Sequence, residues 1–443
     1  MLKGIPQEIL EICRILSDRG YQAYLIGGAV RDLLRGCKPL DWDIVTDCLP
    51  DQAQSIFPDA FPSGIRYGTV SVKLGAMTAE VTTMRKDGRY TDGRRPDQVI
   101  YSGDIHADLS RRDFTINAMA YHPGRDELVD PFGGRIDLRR RILRTVGDPR
   151  SRFAEDALRM LRLFRFISVL GFKSCRKTLA AVNPLWLKNV SRERVREELS
   201  RLLTGENVKR GLSDLAGSGL LTEIIPEFTA LAEPGKRLIQ SGLWKHHLIC
   251  ADSVQPVLHL RLAAFLHDLG KPYCRFEDEK GLHFYGHDSL GSKIAEGILK
   301  RLRYSGAITE KVTRLVRHHM FAAGPGLSDG ALRRLADRTG EDLLFDLLEL
   351  RRADIIAGGR REWAAYRMWE ELVERVESLV SGERAFTRSD LALDGNDIMR
   401  ILKIPPGPRV GEIIDALWER VTDNPDLNTR ESLQTVLERE FIP

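Results

Sequence analysis

One short stretch near the N-terminus constrains the fold of this chain more than any other. Residues 24–26 are apolar and predict a strand, and Gly27 and Gly28 follow directly. Because glycine has no Cβ, the backbone can approach a ligand closely there. Residues 29–34 predict the first turns of a helix, whose free N–H groups and positive dipole end would face an anion. This order of strand, diglycine and helix predicts a cradle for phosphate groups.

Two carboxylates open the next predicted strand. Asp41 and Asp43 are spaced i, i+2, which places both on one face of an extended backbone. Neighbouring carboxylates repel one another unless a cation lies between them, and Mg²⁺ prefers such oxygen ligands. Glu80 is either a third carboxylate of this group or a glutamate on an edge strand. A phosphate cradle beside this pair predicts metal-dependent nucleotidyl transfer, with Asp41 and Asp43 as catalytic magnesium ligands.

Composition is typical of a soluble globular protein of several domains. The chain has 443 residues, of which 42% are hydrophobic and 29% charged. No apolar run approaches the length of a membrane span, and the N-terminus does not resemble a signal peptide, so we expect a cytoplasmic protein without a membrane partner. Six scattered cysteines without a Cys-x-x-Cys pair argue against disulfides and against structural zinc.

Positive charge is concentrated in one segment. Residues 135–168 hold ten arginines and four acids, a balance of +6, whereas the whole chain carries only +4. Arginine suits bidentate and stacked contacts with phosphate and base, which favours a nucleic acid partner. A solvated helix face is the alternative.

Within that segment, residues 153–165 predict one helix with a buried apolar stripe. Asp156 and Arg159 are spaced i, i+3 on it and form either an intrahelical ion pair or a base-reading pair. Cytosine and adenine both present an amino donor beside a ring-nitrogen acceptor, which an Asp acceptor and an Arg donor complement. Uracil and guanine present the opposite pattern, so such a pair would select CTP and ATP without a template.

Two further groups of residues have the chemistry of a site. Arg112 and Asp113 open an apolar segment and suit triphosphate and ribose contacts, or a surface salt bridge. Far along the chain, an apolar helix ends in His267 and Asp268, and eight of the ten histidines lie between positions 246 and 319.

Four strings resemble the motifs of class II tRNA nucleotidyltransferases, a family of CCA-adding enzymes and bacterial poly(A) polymerases. They are residues 25–47, 111–121, 129–138 and 155–159. The resemblance implies an α+β protein with a small mixed α/β nucleotidyltransferase head (1–147), an all-helical neck (148–215), an HD domain (216–380) and a C-terminal helical tRNA-binding region (381–443).

The resemblance also implies residue roles. Nucleotide binding falls to Gly27, Gly28, Arg31, Arg112, Asp113, Asp156, Arg159 and Arg162. Residues 85–98 match the place of a flexible loop that helps the family change from CTP to ATP. The implied activity is Mg²⁺-dependent addition of CMP and AMP to the tRNA 3′ end, with release of pyrophosphate. An A-adding enzyme and a poly(A) polymerase share these motifs and remain alternatives.

The histidine-rich segment resembles HD phosphohydrolases, in which such residues bind a divalent metal. The matching ligands are His246, His267, Asp268, His287, His318 and Asp354, with His319 as an alternative to His318. An HD fold kept only for packing is one alternative. A phosphohydrolase whose head merely binds RNA is an alternative of another class. The oligomeric state stays open.

Overall fold

The structure is a computed structural model that describes residues 2–64, 68–87, 99–279, 281–321, 327–359, 363–381 and 387–441. The chain divides into two compact units, Met1–Pro226 and Glu227–Pro443. The bounds of the four domains expected from the sequence stay predictions.

A mixed seven-stranded sheet forms the centre of the first unit. Its strand order is β3-β4-β5-β2-β1-β8-β9, and within it only β2 and β5 are paired in parallel. Strands β6 and β7 form a separate antiparallel pair. The strands are β1 (Ala23–Ile26), β2 (Asp43–Thr46), β3 (Phe61–Gly64), β4 (Thr69–Leu74), β5 (Met77–Thr83), β6 (Arg85–Asp87), β7 (Val99–Tyr101), β8 (Ala120–His122) and β9 (Glu127–Val129).

The apolar pattern explains which strands are central. All four residues of β1 are buried, as expected for a strand covered on both faces. Short helices accompany the sheet, and the first of them buries Ile9, Ile12, Cys13 and Leu16 at the spacing that predicts an amphipathic helix. The helices of this part are α1 (Gln7–Asp18), α2 (Gly28–Leu34), α3 (Pro50–Ile56), α4 (Ile105–Ser110) and α5 (Gly134–Arg140).

The rest of the first unit is helical apart from one short parallel pair of strands, β10 and β11. The single helix predicted over residues 153–165 is wrong, because α6 ends at Glu155 and α7 begins at Leu158. Between them, Asp156 has an extended backbone with φ −147° and ψ 103°. The elements are β10 (Ile142–Leu143), α6 (Pro149–Glu155), α7 (Leu158–Leu170), β11 (Lys173–Ser174), α8 (Arg176–Ala180), α9 (Arg192–Leu203), α10 (Val208–Gly217) and α11 (Leu220–Ile224).

Where the structure describes it, the second unit is helical except for one exposed hairpin, β12–β13. The predicted order of an α/β head followed by helices is therefore confirmed. Its elements are α12 (Gly242–Ser253), α13 (Leu258–Leu266), β12 (Phe276–Asp278), β13 (Gly281–His283), α14 (His287–Arg301), α15 (Gly306–His318), α16 (Asp329–Thr339), α17 (Glu341–Gly358), α18 (Trp363–Ser381), α19 (Gly395–Leu402), α20 (Pro408–Asp423) and α21 (Arg430–Phe441).

Two cores stabilise this second unit. One lies around the helix that carries His267, where Phe228 stacks on Phe265 with ring centroids 4.6 Å apart. The other joins the last three helices around the fully buried Trp418. Among the described residues, no helix has the length and apolar character needed to cross a bilayer.

Candidate active site

The diglycine bend lies between the central strand β1 and α2. Gly27 has φ +66°, a left-handed conformation that favours glycine. A Cβ placed on Gly27 would lie 3.0 Å from Arg112 Nη1 and 3.5 Å from Asp43 Oδ2. The bend therefore faces a carboxylate and a guanidinium directly, and any larger residue would intrude between them.

Three acids gather at this bend. Asp43 is the first residue of β2 and Asp41 lies exposed just before it. Glu80 is the register partner of Asp43 on the adjacent parallel strand, and its N–H donates to Trp42 O over 2.9 Å. Register partners on neighbouring strands project to the same face. Because β5 is flanked by β4 and β2, the edge-strand interpretation of Glu80 is wrong.

Burial and mutual repulsion raise the pKa of two of these acids, Asp43 and Glu80. Burial raises the pKa of Asp43, and the charge of Asp41 raises it further against the opposing charge of Arg112. Burial likewise raises the pKa of Glu80, and the charges of Asp43 and Asp41 add to it. A cluster of side chains that offers only carboxylate oxygens fits a hard divalent cation such as Mg²⁺.

A hydrogen-bonded network fixes the polar residues beside the bend. Arg31 donates to both oxygens of Asp32 and, from Nη1, to Asn117 Oδ1 over 2.8 Å. Asn117 in turn donates to Asp113 Oδ1, while Arg162 Nε donates to Asp113 Oδ2 over 2.7 Å. Although burial opposes it, the charge of Arg162 holds the pKa of Asp113 below its ordinary value. Arg31, Asp113 and Arg162, linked through Asn117, thus form one hydrogen-bonded wall of the candidate site.

Arg112 is held more loosely than these three. Its Nη2 lies 3.4 Å from Asp108 Oδ2, and its buried Nε has no hydrogen-bond partner among the described residues. Since its Nη1 also lies near the bend, the structure leaves donor capacity on Arg112 directed at the space beside Asp43. Arg111, by contrast, is bound through two nitrogens to Asp108.

The predicted base-reading residues are anchored separately. Asp156 accepts two hydrogen bonds from Arg194, at 3.3 Å from Nη1 and 2.8 Å from Nη2, and one from the N–H of Leu158. Arg159 donates to Glu155 Oε2 and, over 3.0 Å each, to the carbonyl oxygens of residues 152 and 111. The intrahelical Asp156–Arg159 ion pair considered from the sequence is therefore not formed. Each side chain instead has its own fixed partner.

A second cluster lies in the helical unit, around Asp268. This carboxylate is fully buried, and the Nε2 atoms of His246, His267, His287 and His319 lie 3.3–3.5 Å from its oxygens. Neither oxygen has a hydrogen bond of ordinary geometry within the described part of the chain, although Lys271 Nζ approaches to 2.5 Å. Imidazole nitrogens that converge on a buried carboxylate are typical of a metal site.

Outer contacts orient these imidazoles. The Nδ1 atoms of His267, His287 and His319 lie 3.0, 2.6 and 2.7 Å from backbone carbonyl oxygens of residues 264, 284 and 316. An Nδ1–H that donates to a carbonyl leaves Nε2 as a free ligand atom, the arrangement found at metal-binding histidines. Gly270 permits the close packing, because a Cβ there would lie 2.2 Å from the carbonyl oxygen of His287.

One predicted ligand is wrong. His318 lies outside the cluster, where burial and the charges of Arg338 and Arg317 lower its pKa. The adjacent His319 is fully buried and takes its place. Successive residues of a helix end point about 100° apart, so only one of the two can face Asp268.

Sequence reasoning missed several residues of both sites. Asn117 lies inside a matched motif and Arg194 lies on α9, but neither is predicted from the sequence as a site residue. Cys250 belongs to the histidine cluster and stands four residues after His246. That i, i+4 spacing is a signal that could have found it. Residues 88–98 of the predicted flexible loop lie outside the described residues, and strands β6 and β7 flank them.

Known protein families match three successive parts of the chain. Family profiles match the poly(A) polymerase head domain over residues 23–144, the RNA and SrmB binding site of polymerase A over 173–231, and domain 2 of tRNA nucleotidyltransferases over 286–437.

Individual relatives extend along almost the whole chain. The CCA-adding enzyme of Geobacillus stearothermophilus is 35% identical over 432 residues, 96% of this chain and 95% of that protein. The CCA-adding enzyme of Anoxybacillus flavithermus is 39% identical over 97% of this chain and 96% of its own length. The crystal structure of the Bacillus stearothermophilus CCA-adding enzyme in complex with CTP superposes with a TM-score of 0.75 at 30% identity, covering 98% of this chain and 97% of that one. The chain therefore belongs to the family of CCA-adding tRNA nucleotidyltransferases.

Proposed function

We propose that this protein adds CMP and then AMP to the 3′ end of tRNA, from CTP and ATP and without a nucleic acid template. The 3′-hydroxyl oxygen of tRNA forms a bond with the α-phosphorus of the nucleotide, the bond from that phosphorus to the bridging oxygen breaks, and pyrophosphate leaves. The hydroxyl proton passes to solvent. Because the substrate is tRNA, we place the protein in the cytoplasm.

The observation that carries this proposal is the position of Asp43 across the diglycine bend, 3.5 Å from where a Gly27 Cβ would stand. Asp41, Asp43 and Glu80 would hold Mg²⁺, which when bound supplies positive charge to the reacting phosphate and acidifies the attacking hydroxyl. Arg112 adds a donor to the triphosphate from the same side. Arg31, Asp113 and Arg162 keep the wall of the site in place.

Selection of the base rests on the two anchored residues of the neck. Arg194 fixes the oxygens of Asp156, and Glu155 with two carbonyls fixes the guanidinium of Arg159. A fixed acceptor and a fixed donor accept the pairing edges of cytosine and adenine and leave unpaired groups against uracil or guanine. Pre-positioning of both side chains makes that mismatch costly, because neither can turn to satisfy it.

The test is labelled incorporation. Asp43→Asn and wild type are incubated with CTP and ATP together, one of the two labelled, and with tRNA that ends before the CCA, after CC, or after CCA. We expect wild type to label the first with both nucleotides, the second with ATP only and the third with neither. Asp43→Asn should lose both reactions by about 1,000-fold, since a metal ligand supplies several kcal/mol.

Control variants and the pattern of labelling distinguish CCA addition from the alternative functions. Asp59→Asn, at an exposed acid of the same unit, should keep full activity, and tRNA binding by Asp43→Asn should be unchanged. ATP-only labelling of wild type would indicate an A-adding enzyme, and long tails would indicate a poly(A) polymerase. Incorporation that survives in Asp43→Asn would refute the assigned site.

We propose a metal-dependent phosphohydrolase as a second function, on the strength of the buried Asp268 amid four imidazoles. A bound divalent cation supplies an activated water for hydrolysis of a phosphate ester. Asp268→Asn should abolish release of p-nitrophenol from bis(p-nitrophenyl) phosphate in the presence of Zn²⁺ or Mn²⁺. Incorporation of CMP and AMP should persist in that variant. Equal hydrolysis by wild type and variant would remove the second function and leave the first.

A further inference from the structure

Cys250 lies inside the histidine cluster of the second unit. It is fully buried on α12, four residues after His246, so that both side chains project from one face of the helix. Its Sγ is 3.5 Å from His246 Nε2. The ligand atoms of His246, Cys250, His267 and Asp354 all lie within 4.8 Å of one another.

The spacing of these four ligand atoms fits one small ion. His246 Nε2 lies 3.2 Å from His267 Nε2 and 3.1 Å from Asp354 Oδ1, and His267 Nε2 lies 3.8 Å from that oxygen. A tetrahedral zinc ion with bonds of about 2.0 Å to N or O and about 2.3 Å to S has ligand–ligand edges of about 3.3–3.6 Å. Four edges of the cluster, from 3.1 to 3.8 Å, bracket this range, and the other two are no longer than 4.8 Å.

Neighbouring groups hold these ligands in place. His267 Nδ1 contacts the carbonyl oxygen of Ala264, which directs Nε2 inward. Arg351 Nη1 binds the outer oxygen of Asp354 over 2.5 Å and so turns the inner oxygen towards the imidazoles. Oriented ligands of this kind reduce the cost of ordering on metal binding.

An independent observation also points to a ligand. Asp268 is fully buried beside His267, and neither of its oxygens makes a hydrogen bond of ordinary geometry with the described residues. Lys271 Nζ, 2.5 Å away, offers it a positive charge. A divalent cation bound among these groups would satisfy the carboxylates and the lone pairs of the imidazoles together.

We propose that Cys250 is a thiolate ligand of a borderline-soft divalent cation, Zn²⁺ or Co²⁺ rather than Mg²⁺, held with His246, His267 and Asp354. Asp268, His287 and His319 border an adjoining position. A thiolate ligand selects zinc-like ions because soft sulfur binds them far better than hard Mg²⁺. This inference deepens the proposed phosphohydrolase function and names its metal.

The test uses the full-length protein, stripped of metal with a chelator and titrated with Co²⁺. We expect intense visible absorption of a tetrahedral site together with a thiolate-to-cobalt charge-transfer band in the near ultraviolet. Cys250→Ser should lose that band and bind Zn²⁺ at least about 100-fold more weakly. Cys13→Ser is the matched control, because Cys13 is also buried but lies in the other unit. This variant should keep the charge-transfer band and the affinity for Zn²⁺.

A measurement on the unaltered protein guards against misfolding of the variant. X-ray absorption at the zinc edge should show one sulfur neighbour at about 2.3 Å beside nitrogen and oxygen neighbours. A zinc shell of nitrogen and oxygen alone would overturn the proposal and leave Cys250 as a packing residue whose thiol faces the carbonyl of Ala353. A protein that binds no Co²⁺ would overturn it as well.

These experiments distinguish failure of the proposed phosphohydrolase function from failure of thiolate ligation by Cys250. A charge-transfer band without any hydrolysis would support thiolate ligation and refute only the reaction. Hydrolysis with a metal that lacks a sulfur neighbour would refute thiolate ligation and support the reaction.

Discussion

Single side chains at the head site depend on partners that are remote in sequence. Arg162 holds Asp113 across 49 positions, and Arg194 holds Asp156 across 38. Asp43, by contrast, is repelled by its neighbours, because two other acids, Asp41 and Glu80, lie near it at the bend. Their contacts therefore stabilise the residues of the wall. The acids of the bend instead lower the stability of the fold, and a bound cation would offset that loss.

Asp43 provides the first prediction. Its folded pKa lies above the ordinary value of 3.8, so it favours folding at pH below that value, and the contribution is lost as pH rises through the folded pKa. Asp43→Asn should therefore raise Tm at pH 7 in the presence of chelator, by about 2–4 °C for each kcal/mol. Calorimetry should show the difference shrinking towards pH 3.5. An equal gain at both pH values would contradict charge repulsion as its cause.

Arg194 provides the second prediction. Arg194→Ala should release Asp156, lower kcat/KM for CTP and ATP by about tenfold and reduce discrimination against UTP, because a partly buried charge pair is broken. Arg194→Lys should recover only part of this, since an ammonium lacks the planar fork that binds both oxygens in parallel. Arg192→Ala, at an exposed position of the same helix, serves as the control. Unchanged discrimination in Arg194→Ala would show that Asp156 needs no anchor.

At the scale of elements, two local features build the head site. The parallel pairing of β2 and β5 sets Glu80 beside Asp43, and the turn from β1 to α2 faces them. A third feature is the break between α6 and α7, where the carboxylate of Asp156 accepts from the N–H of Leu158. That local bond competes with helix formation and accounts for the interruption.

Gly27 allows the third prediction, which separates backbone strain from intrusion into the site. Gly27 and Gly20 both have positive φ, but a Cβ on Gly20 meets nothing within 4 Å. Each alanine substitution should cost about 1–2 kcal/mol of stability. Only Gly27→Ala should also lower incorporation, by more than tenfold at saturating tRNA. If Gly20→Ala lost activity to the same degree, the effect would be general destabilisation.

At the scale of the whole molecule, the chain holds two candidate sites, one in each of its two compact units. The carboxylates and arginines of the head lie in the first unit, and the histidine cluster lies in the second. The clusters also differ in donor chemistry, since the head group offers carboxylate oxygens and the other offers nitrogen, sulfur and oxygen. Hard and borderline-soft cations should therefore partition between them.

This partition gives the fourth prediction. Zn²⁺ at 100 times its Kd should stabilise the unit that binds it by about 2.7 kcal/mol. Hydrogen exchange measured by mass spectrometry should then slow in α12 and α17, which carry His246 and Asp354, and at the end of α13, directly before His267, and remain unchanged in β1 and β2. Protection spread equally over both units would contradict separate sites.

The sequence by itself determined the local parts of this protein: the strand that leads into the diglycine bend, the acid spacing at 41 and 43, and the helical character of the body. These are set by backbone preferences and apolar periodicity within a few residues. Only the tertiary structure decided that Glu80 lies on an interior strand, that Arg194 binds Asp156, and that His319 rather than His318 faces Asp268. Such facts depend on which remote elements pack together and on the rotation of a helix end, and neither is encoded by spacing along the chain.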